Sequence, residues 1–147
     1  MSGPTDEQLR AALANPKNAP PSSQHMGFEL IDFSIAEGWA EMAFHPKPEF
    51  ANPQGNVQGG FVCAMLDDAM AIAASVSRRM TIVVPTIQIT VTYLRPTPLS
   101  RVIARGELLR LGSTSAQMQG TLKTPDGTLL ATAVAAAVVR PFPSRTR

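Results

Sequence analysis

Residues 59–79, GGFVCAMLDDAMAIAASVSRR, lie inside the longest proline-free stretch of the chain and constrain its fold more than any other segment. Their composition is helical. The large apolar residues Phe61, Met65, Ile72 and Val76 recur at helical spacing on one stripe. Two arginines close the segment, favourable at a helix C-terminus. The period then changes to two: in Thr86-Ile87-Gln88-Ile89-Thr90-Val91-Thr92-Tyr93 the odd positions are apolar and the even ones polar. Further strands are predicted over 101–111, 115–123 and 128–139, turned by Gly112-Ser113 and Pro125-Asp126-Gly127. In the second of these, Ala116, Met118, Gly120 and Leu122 share one face. One apolar helix followed by strands on short turns must pack on an antiparallel sheet, so the fold class is α+β.

Upstream, Thr5-Asp6-Glu7-Gln8 reads as a capping box, and the helix it opens should stop before Pro16. Residues 15–22 hold three prolines and read as a loop, and residues 28–36 and 39–44 as strands of a hairpin turned at Glu37-Gly38. The segment 45–56, with three more prolines and Gly55, must be irregular. The chain of 147 residues is expected to be a single domain, with residues 1–22 an N-terminal helix and loop and 141–147 a flexible tail. A hydrophobic content of 44% against 16% charged excludes a disordered chain and suggests apolar surface for a partner subunit. A formal net charge of +2, scattered along the chain, argues against nucleic acid. Cys63 is the only cysteine, and with His25 and His45 it cannot build a standard zinc site. The first residues lack an apolar targeting core, and the apolar run 129–139 is too short for a bilayer. The expectation is a soluble, cytoplasmic protein with no membrane partner and no metal.

Two features carry chemistry. The first is Asp67-Asp68 inside the helix, where aspartate is a poor helix former and burial of its charge is costly. At 3.6 residues per turn, Asp67 shares a face with Gly60, Cys63, Ala64, Ala71 and Ala74, nearly opposite the large apolar stripe. Asp68 lies nearer that stripe's border. Both aspartates on a solvated face is the plain alternative, though such a face normally carries Lys and Glu. The second feature is Asn52-Pro53-Gln54-Gly55-Asn56-Val57-Gln58-Gly59-Gly60. Glycines at a helix start let a ligand approach backbone N–H groups at the positive end of the helix dipole, a natural oxyanion hole. A turn that merely needs glycine is the plain reading.

Together these features resemble the hotdog-fold thioesterases, the acyl-CoA group typified by phenylacetyl-CoA and 4-hydroxybenzoyl-CoA thioesterases. The pattern of that family is Asn, several residues, Gly, then His-Gly-Gly, with an acidic residue nine positions after the histidine. Asn52, Gly55, Gly59 and Gly60 match it, and Asp67 falls in the acidic slot. Thr86, opening TIQITVTYLRP, matches a small hydroxyl position after the helix. The resemblance spans about residues 28–139. It implies an antiparallel sheet wrapped around one long central helix and hydrolysis of a small or medium acyl- or aryl-CoA, with no cofactor beyond the coenzyme A of the substrate. It also implies a homodimer with its sheets side by side and the site between subunits, often doubled into a dimer of dimers. The roles it implies are an oxyanion hole at the Gly59 N–H, orientation by Asn52 and Gln58, and a water held by Thr86. Asp67 acts as general base or nucleophile, and Gly55, Gly60 and Asp68 lie against the substrate.

Gln58 stands where the family carries histidine. Its amide can position a group but cannot move a proton. A non-catalytic acyl-CoA or acyl-carrier binding protein is therefore the alternative function. A hotdog hydratase, which needs a histidine shortly after the aspartate, is disfavoured because DAMAIAASVSRR has none. Cys63 reads as a structural thiol, and His25 and His45 as local loop residues. The methionines Met26, Met42, Met65, Met70 and Met118 read as core or pocket lining. Arg78, Arg79, Arg95 and Arg101 are candidates for the coenzyme A phosphates, each equally well a surface charge.

Overall fold

A computed structural model describes residues 3–143. Thr5 caps helix α1 (Asp6–Ala14) in the expected capping box, with Gln8 reaching back to the Thr5 N–H. The proline-rich stretch that follows is more ordered than a loop: a 3-10 turn at Pro16–Asn18 leads into a short helix α2 (Pro21–His25). Proline at the first helical positions explains this, because its missing N–H falls where no intrahelical partner exists.

Strands β1 (Glu29–Ser34) and β2 (Trp39–Phe44) form the predicted hairpin, with Gly38 at φ 68° in its turn. Helix α3 (Gly59–Ser77) follows, then a two-residue β3 (Ile82–Val83) and β4 (Thr86–Tyr93). The meander β5 (Val102–Leu111), β6 (Ser115–Lys123) and β7 (Leu129–Val138) completes the main sheet. Its antiparallel order is β1-β2-β5-β6-β7-β4. β4 and β5 are thus not neighbours. The proline-bearing connection after β4 carries the chain across the sheet, which leaves β4 as an edge. The expected α+β architecture, one antiparallel sheet curled around one long helix, is what forms.

The chain end departs from expectation. Arg140–Pro141 form strand β8 against β3, and the Phe142 N–H donates to the Thr81 carbonyl at 2.8 Å. The tail predicted to start at 141 is tied down through Phe142, because β3 offers unpaired backbone beside it. Residues 144–147 lie outside the described residues.

The helix face that meets the sheet also differs from the predicted stripe. Of the predicted stripe Met65 and Val76 are fully buried, but Phe61 and Ile72 are only half-buried, and Val62, Leu66, Ala69, Met70 and Ala73 are buried as well. Phe61 instead stacks on Phe50, with rings parallel and 3.9 Å apart, and Ile72 turns toward α1 and α2. The helix has two apolar faces because it has two covers: the sheet on one side and the N-terminal segment on another. By length and composition α3 could also cross a membrane. Its most apolar face is spent on the chain's own sheet.

Across the sheet beneath α3 runs a row of small residues in register: Ala40 opposite Gly106, Gly106 opposite Gly120, and Gly120 opposite Ala133. This trough lets the helix backbone sit directly on the strands. A Cβ on Gly106 would lie 2.1 Å from the Ala69 carbonyl oxygen.

Candidate active site

The loop before α3 is built by Asn52. Its side-chain oxygen accepts from the N–H groups of Gln54 at 3.0 Å and Asn56 at 3.1 Å. Its carbonyl accepts from Gly55 at 3.0 Å, and Gly55 takes φ 82°, a left-handed conformation open to glycine. Asn52 therefore shapes the loop, one of the roles open to it, through an Asx-type turn.

Gln58 is the N-cap of α3, and its side-chain oxygen accepts from the Gly60 N–H at 2.7 Å. A Cβ on Gly60 would stand 2.8 Å from that oxygen, so the cap requires glycine there. The glutamine that replaces the family's histidine is thus engaged in holding the helix start. The Gly59 N–H has no hydrogen-bond partner among the described residues, while its carbonyl accepts from the Tyr93 hydroxyl at 2.6 Å. An unpaired N–H at the positive end of a 19-residue helix is a ready anion acceptor site.

Around this helix start lies an open cleft of about 580 Å³, lined by Asn52, Gln58, Gly59, Gly60, Tyr93 and Arg95 among others. Of the four candidate arginines only Arg95 reaches it, anchored through its guanidinium to the Leu129 carbonyl at 2.7 Å. Arg79 is bound to Asp6, Arg101 lies against Glu29, and Arg78 is exposed. Tyr93 was not singled out in the sequence. Its position, last in the alternating strand β4, gave no hint that the ring would pack over Gly59.

Asp67 sits on the half-open face of α3, as its helical phase predicted. Thr86 donates to its Oδ1 at 2.7 Å, so the two residues matched to the family pattern meet in this chain. The hydroxyl acts on the carboxylate directly. Cys63, one turn earlier, is pushed toward the protonated thiol by burial and by the negative charge of Asp67, which suits a structural thiol and not a nucleophile. His25 packs on Phe50 with its Nδ1 3.0 Å from Lys47 Nζ, and His45 pairs with Glu29. Both are local. Among the described residues no three His, Cys, Asp or Glu side chains come together to hold a metal ion.

Asp68 is the departure. It does not reach the cleft but turns into a separate pocket beneath α1 and α2. Burial pushes its carboxyl up to about 6, against the Ser23 hydroxyl, which pulls the other way, and the charge of Asp67 adds a smaller rise. The folded protein then holds this proton more tightly than the unfolded chain. Stability from this group is full below the ordinary aspartate range near pH 4 and falls as pH rises through about 6. Glu29, Asp32, Glu107 and Asp126, held low by their partners, act in the opposite direction. The readout is therefore the stability of the wild type relative to Asp68→Asn in thermal melts, which should fall by an amount on the order of 3 kcal/mol between pH 4 and 7. A difference between the two proteins that does not change with pH overturns the assignment.

Comparison with known proteins decides the family. A family model of the thioesterase superfamily matches residues 54–131, which include the helix start, Asp67 and Thr86. The chain belongs to the thioesterase superfamily. A Halobacterium salinarum protein carrying a provisional esterase name is 30% identical over 106 residues, 70% of each chain. Among solved structures, a phenylacetic acid degradation-related protein of Ralstonia eutropha, provisionally named a thioesterase, is 29% identical. It superposes with a TM-score of 0.78 over 88% of this chain and 98% of its own. A Streptococcus mutans protein, solved bound to acetyl CoA, shares the fold at 19% identity and a TM-score of 0.68, over 80% of this chain and 91% of its own.

Proposed function

We propose that this protein hydrolyses acyl-CoA thioesters at a site completed by a second copy of the chain. The observation that carries the reading is Asp67 on the open face of α3, held by Thr86 through one oxygen. The other oxygen, Oδ2, has no hydrogen-bond partner among the described residues and is available to a reacting group. A helix rises 1.5 Å per residue, so Asp67 lies about 12 Å along α3 from Gly59. One thioester carbon cannot meet both within a single chain. Antiparallel pairing of two α3 helices sets Asp67 of one copy opposite Gly59 of the other, and their small-residue faces permit the approach. The edge strand β4, whose outward Ile87 is 66% exposed, has an unpaired side that a second β4 can extend. Further pairing of two such dimers is consistent with the exposed Leu109 and Val134 on the outer sheet face.

In this arrangement the Gly59 N–H polarises the thioester carbonyl and Asp67 removes a proton from water. The water oxygen bonds to the carbonyl carbon, the carbon–sulfur bond breaks, and the thiolate takes the proton. Attack by the Asp67 oxygen itself, through a mixed anhydride that water then opens, fits the same geometry. Arg95 offers its charge to the coenzyme A phosphates at the cleft mouth, in line with the coenzyme bound by the Streptococcus relative. No cofactor is called for beyond the coenzyme A of the substrate. A lone free Cys63 suits a reducing, cytoplasmic setting.

Thiol release from short, medium, long and aryl acyl-CoAs tests the reading. Turnover of at least one class is expected. Tight binding without turnover of any points instead to an acyl-CoA or acyl-carrier binding protein. The observation behind that second reading is the Gln58 amide, whose oxygen is engaged by the Gly60 N–H.

A further inference from the structure

The pocket that receives Asp68 has a chemistry of its own. It measures about 430 Å³, within the roughly 300–1,000 Å³ range of small-molecule sites. Its walls are mostly apolar, with Leu9 and Leu13 of α1, Phe28 at the start of β1, and Ile72 of α3. None of its lining residues lines the cleft at Gly59. Four polar residues break the apolar surface: Gln8 and Asn18, engaged with the Thr5 N–H and the Ala12 carbonyl, and Ser23, only 1% exposed, and Asp68. Ser23 Oγ and Asp68 Oδ2 are both buried and neither completes a hydrogen bond of good geometry, although the Ser23 hydroxyl lies near enough to the Asp68 carboxyl to lower its pKa. Leaving two such atoms unsatisfied costs free energy, so the site calls for a polar group to meet them.

A single hydroxyl meets that need. Its O–H donates to a carboxylate while its oxygen accepts from the serine. It does so without bringing a further charge out of water into a mostly apolar pocket, as an ammonium would, and a carboxylate ligand would face Asp68. The rest of the pocket asks for hydrocarbon. We propose that this pocket binds a medium-length aliphatic group bearing one hydroxyl, which donates to Asp68 Oδ2 and accepts from Ser23 Oγ. The group belongs either to a free alcohol or to the acyl portion of a thioester substrate. Asp68 follows Asp67 directly, so the pocket opens on the neighbouring face of the same turn of α3. That second source rests on the hydrolase reading above; the pocket itself does not.

Calorimetric titration of the full chain with 1-octanol and with its near-isostere methyl heptyl ether tests the proposal without any turnover. The ether accepts a hydrogen bond but has none to donate. The alcohol is expected to bind at least tenfold more tightly, because a site with buried polar partners rejects the analogue that leaves one unpaired. Ala12→Phe, on the exposed side of α1 at the pocket rim, should abolish binding. Asp68→Leu should erase the preference for the alcohol. Equal binding of the two probes to the wild type, or no binding of the alcohol, overturns the proposal whatever the variants do. Where hydrolysis is measurable, a tenfold preference for 10-hydroxydecanoyl-CoA over decanoyl-CoA, with 1-octanol as competitive inhibitor, assigns the acyl source. Octanol binding that leaves hydrolysis untouched assigns a separate ligand. Either result upholds the pocket, and absence of hydrolysis bears only on the catalytic reading.

Discussion

Asp67→Asn is expected to lower kcat for the best acyl-CoA by roughly a hundred- to ten-thousand-fold, the range lost with a general base. The amide keeps the shape and still accepts the Thr86 hydrogen bond, 2.7 Å in the wild type, so the helix and the cleft should stand. It can neither take a proton from water nor attack a carbonyl. Acyl-CoA affinity, read by calorimetry, should therefore change only a few-fold, because the cleft proposed for the coenzyme contains Arg95 and the helix start but not Asp67. Thr86→Ala should cost less, about tenfold, since it frees the carboxylate to rotate without removing it. A single turnover in 18O-water adds the chemical distinction. Product acid without label from the first turnover, with the label found in Asp67, identifies the anhydride route with water attacking the Asp67 carbonyl carbon. Labelled product fits direct attack by water or an anhydride opened at the acyl carbon. Turnover undiminished in Asp67→Asn overturns the assignment of the site.

The alternating strand β6 was legible to the residue: Ala116, Met118, Gly120 and Leu122 are all buried, because period two admits one reading once a face is apolar. The capping box of α1 was legible for the same reason, as local hydrogen bonds decide it. The orientation of α3 was not. Its sequence is apolar on several sides, and size suggested that Phe61 and Ile72 face the sheet. The sheet takes Leu66, Ala69, Met70 and Ala73 instead. What selects them lies elsewhere in the chain, in the glycine trough of β5 and β6 and in an N-terminal segment that covers the second apolar face. The position of Asp67 survived this error because it lies away from both covers. Asp68 did not, since the pocket that holds it is built by α1 and α2, and α2 lay hidden in a proline-rich stretch. The contact of Thr86 with Asp67 was not legible, since nineteen positions separate the two residues and no local rule joins them, and the family resemblance implied only a water held by Thr86.

Gly106→Ala is expected to destabilise the protein by at least about 3 kcal/mol, more than an ordinary overpacking substitution, and to lower Tm by roughly 10 °C. The reason is what stands in the way. A Cβ at Gly106 would meet the Ala69 carbonyl oxygen at 2.1 Å and the Met70 Cα at 2.7 Å. Both are backbone atoms of a 19-residue helix that cannot yield one turn at a time. The helix must lift as a body, and the contacts of Leu66, Ala69 and Ala73 with the sheet loosen with it. Gly120→Ala, at the neighbouring place in the same trough, is the internal control. Its Cβ would meet the Met70 Cγ at 3.2 Å, the middle of a flexible side chain, and the Arg105 carbonyl oxygen at 3.3 Å. Methionine can re-pack there, so the cost should stay near 1 kcal/mol. Comparable melting temperatures for the two variants would mean that α3 does not rest on the strand backbone at Gly106. The same lift would move the start of α3 away from Tyr93. Any Gly106→Ala protein that still folds should therefore lose hydrolysis faster on warming than it loses helix signal.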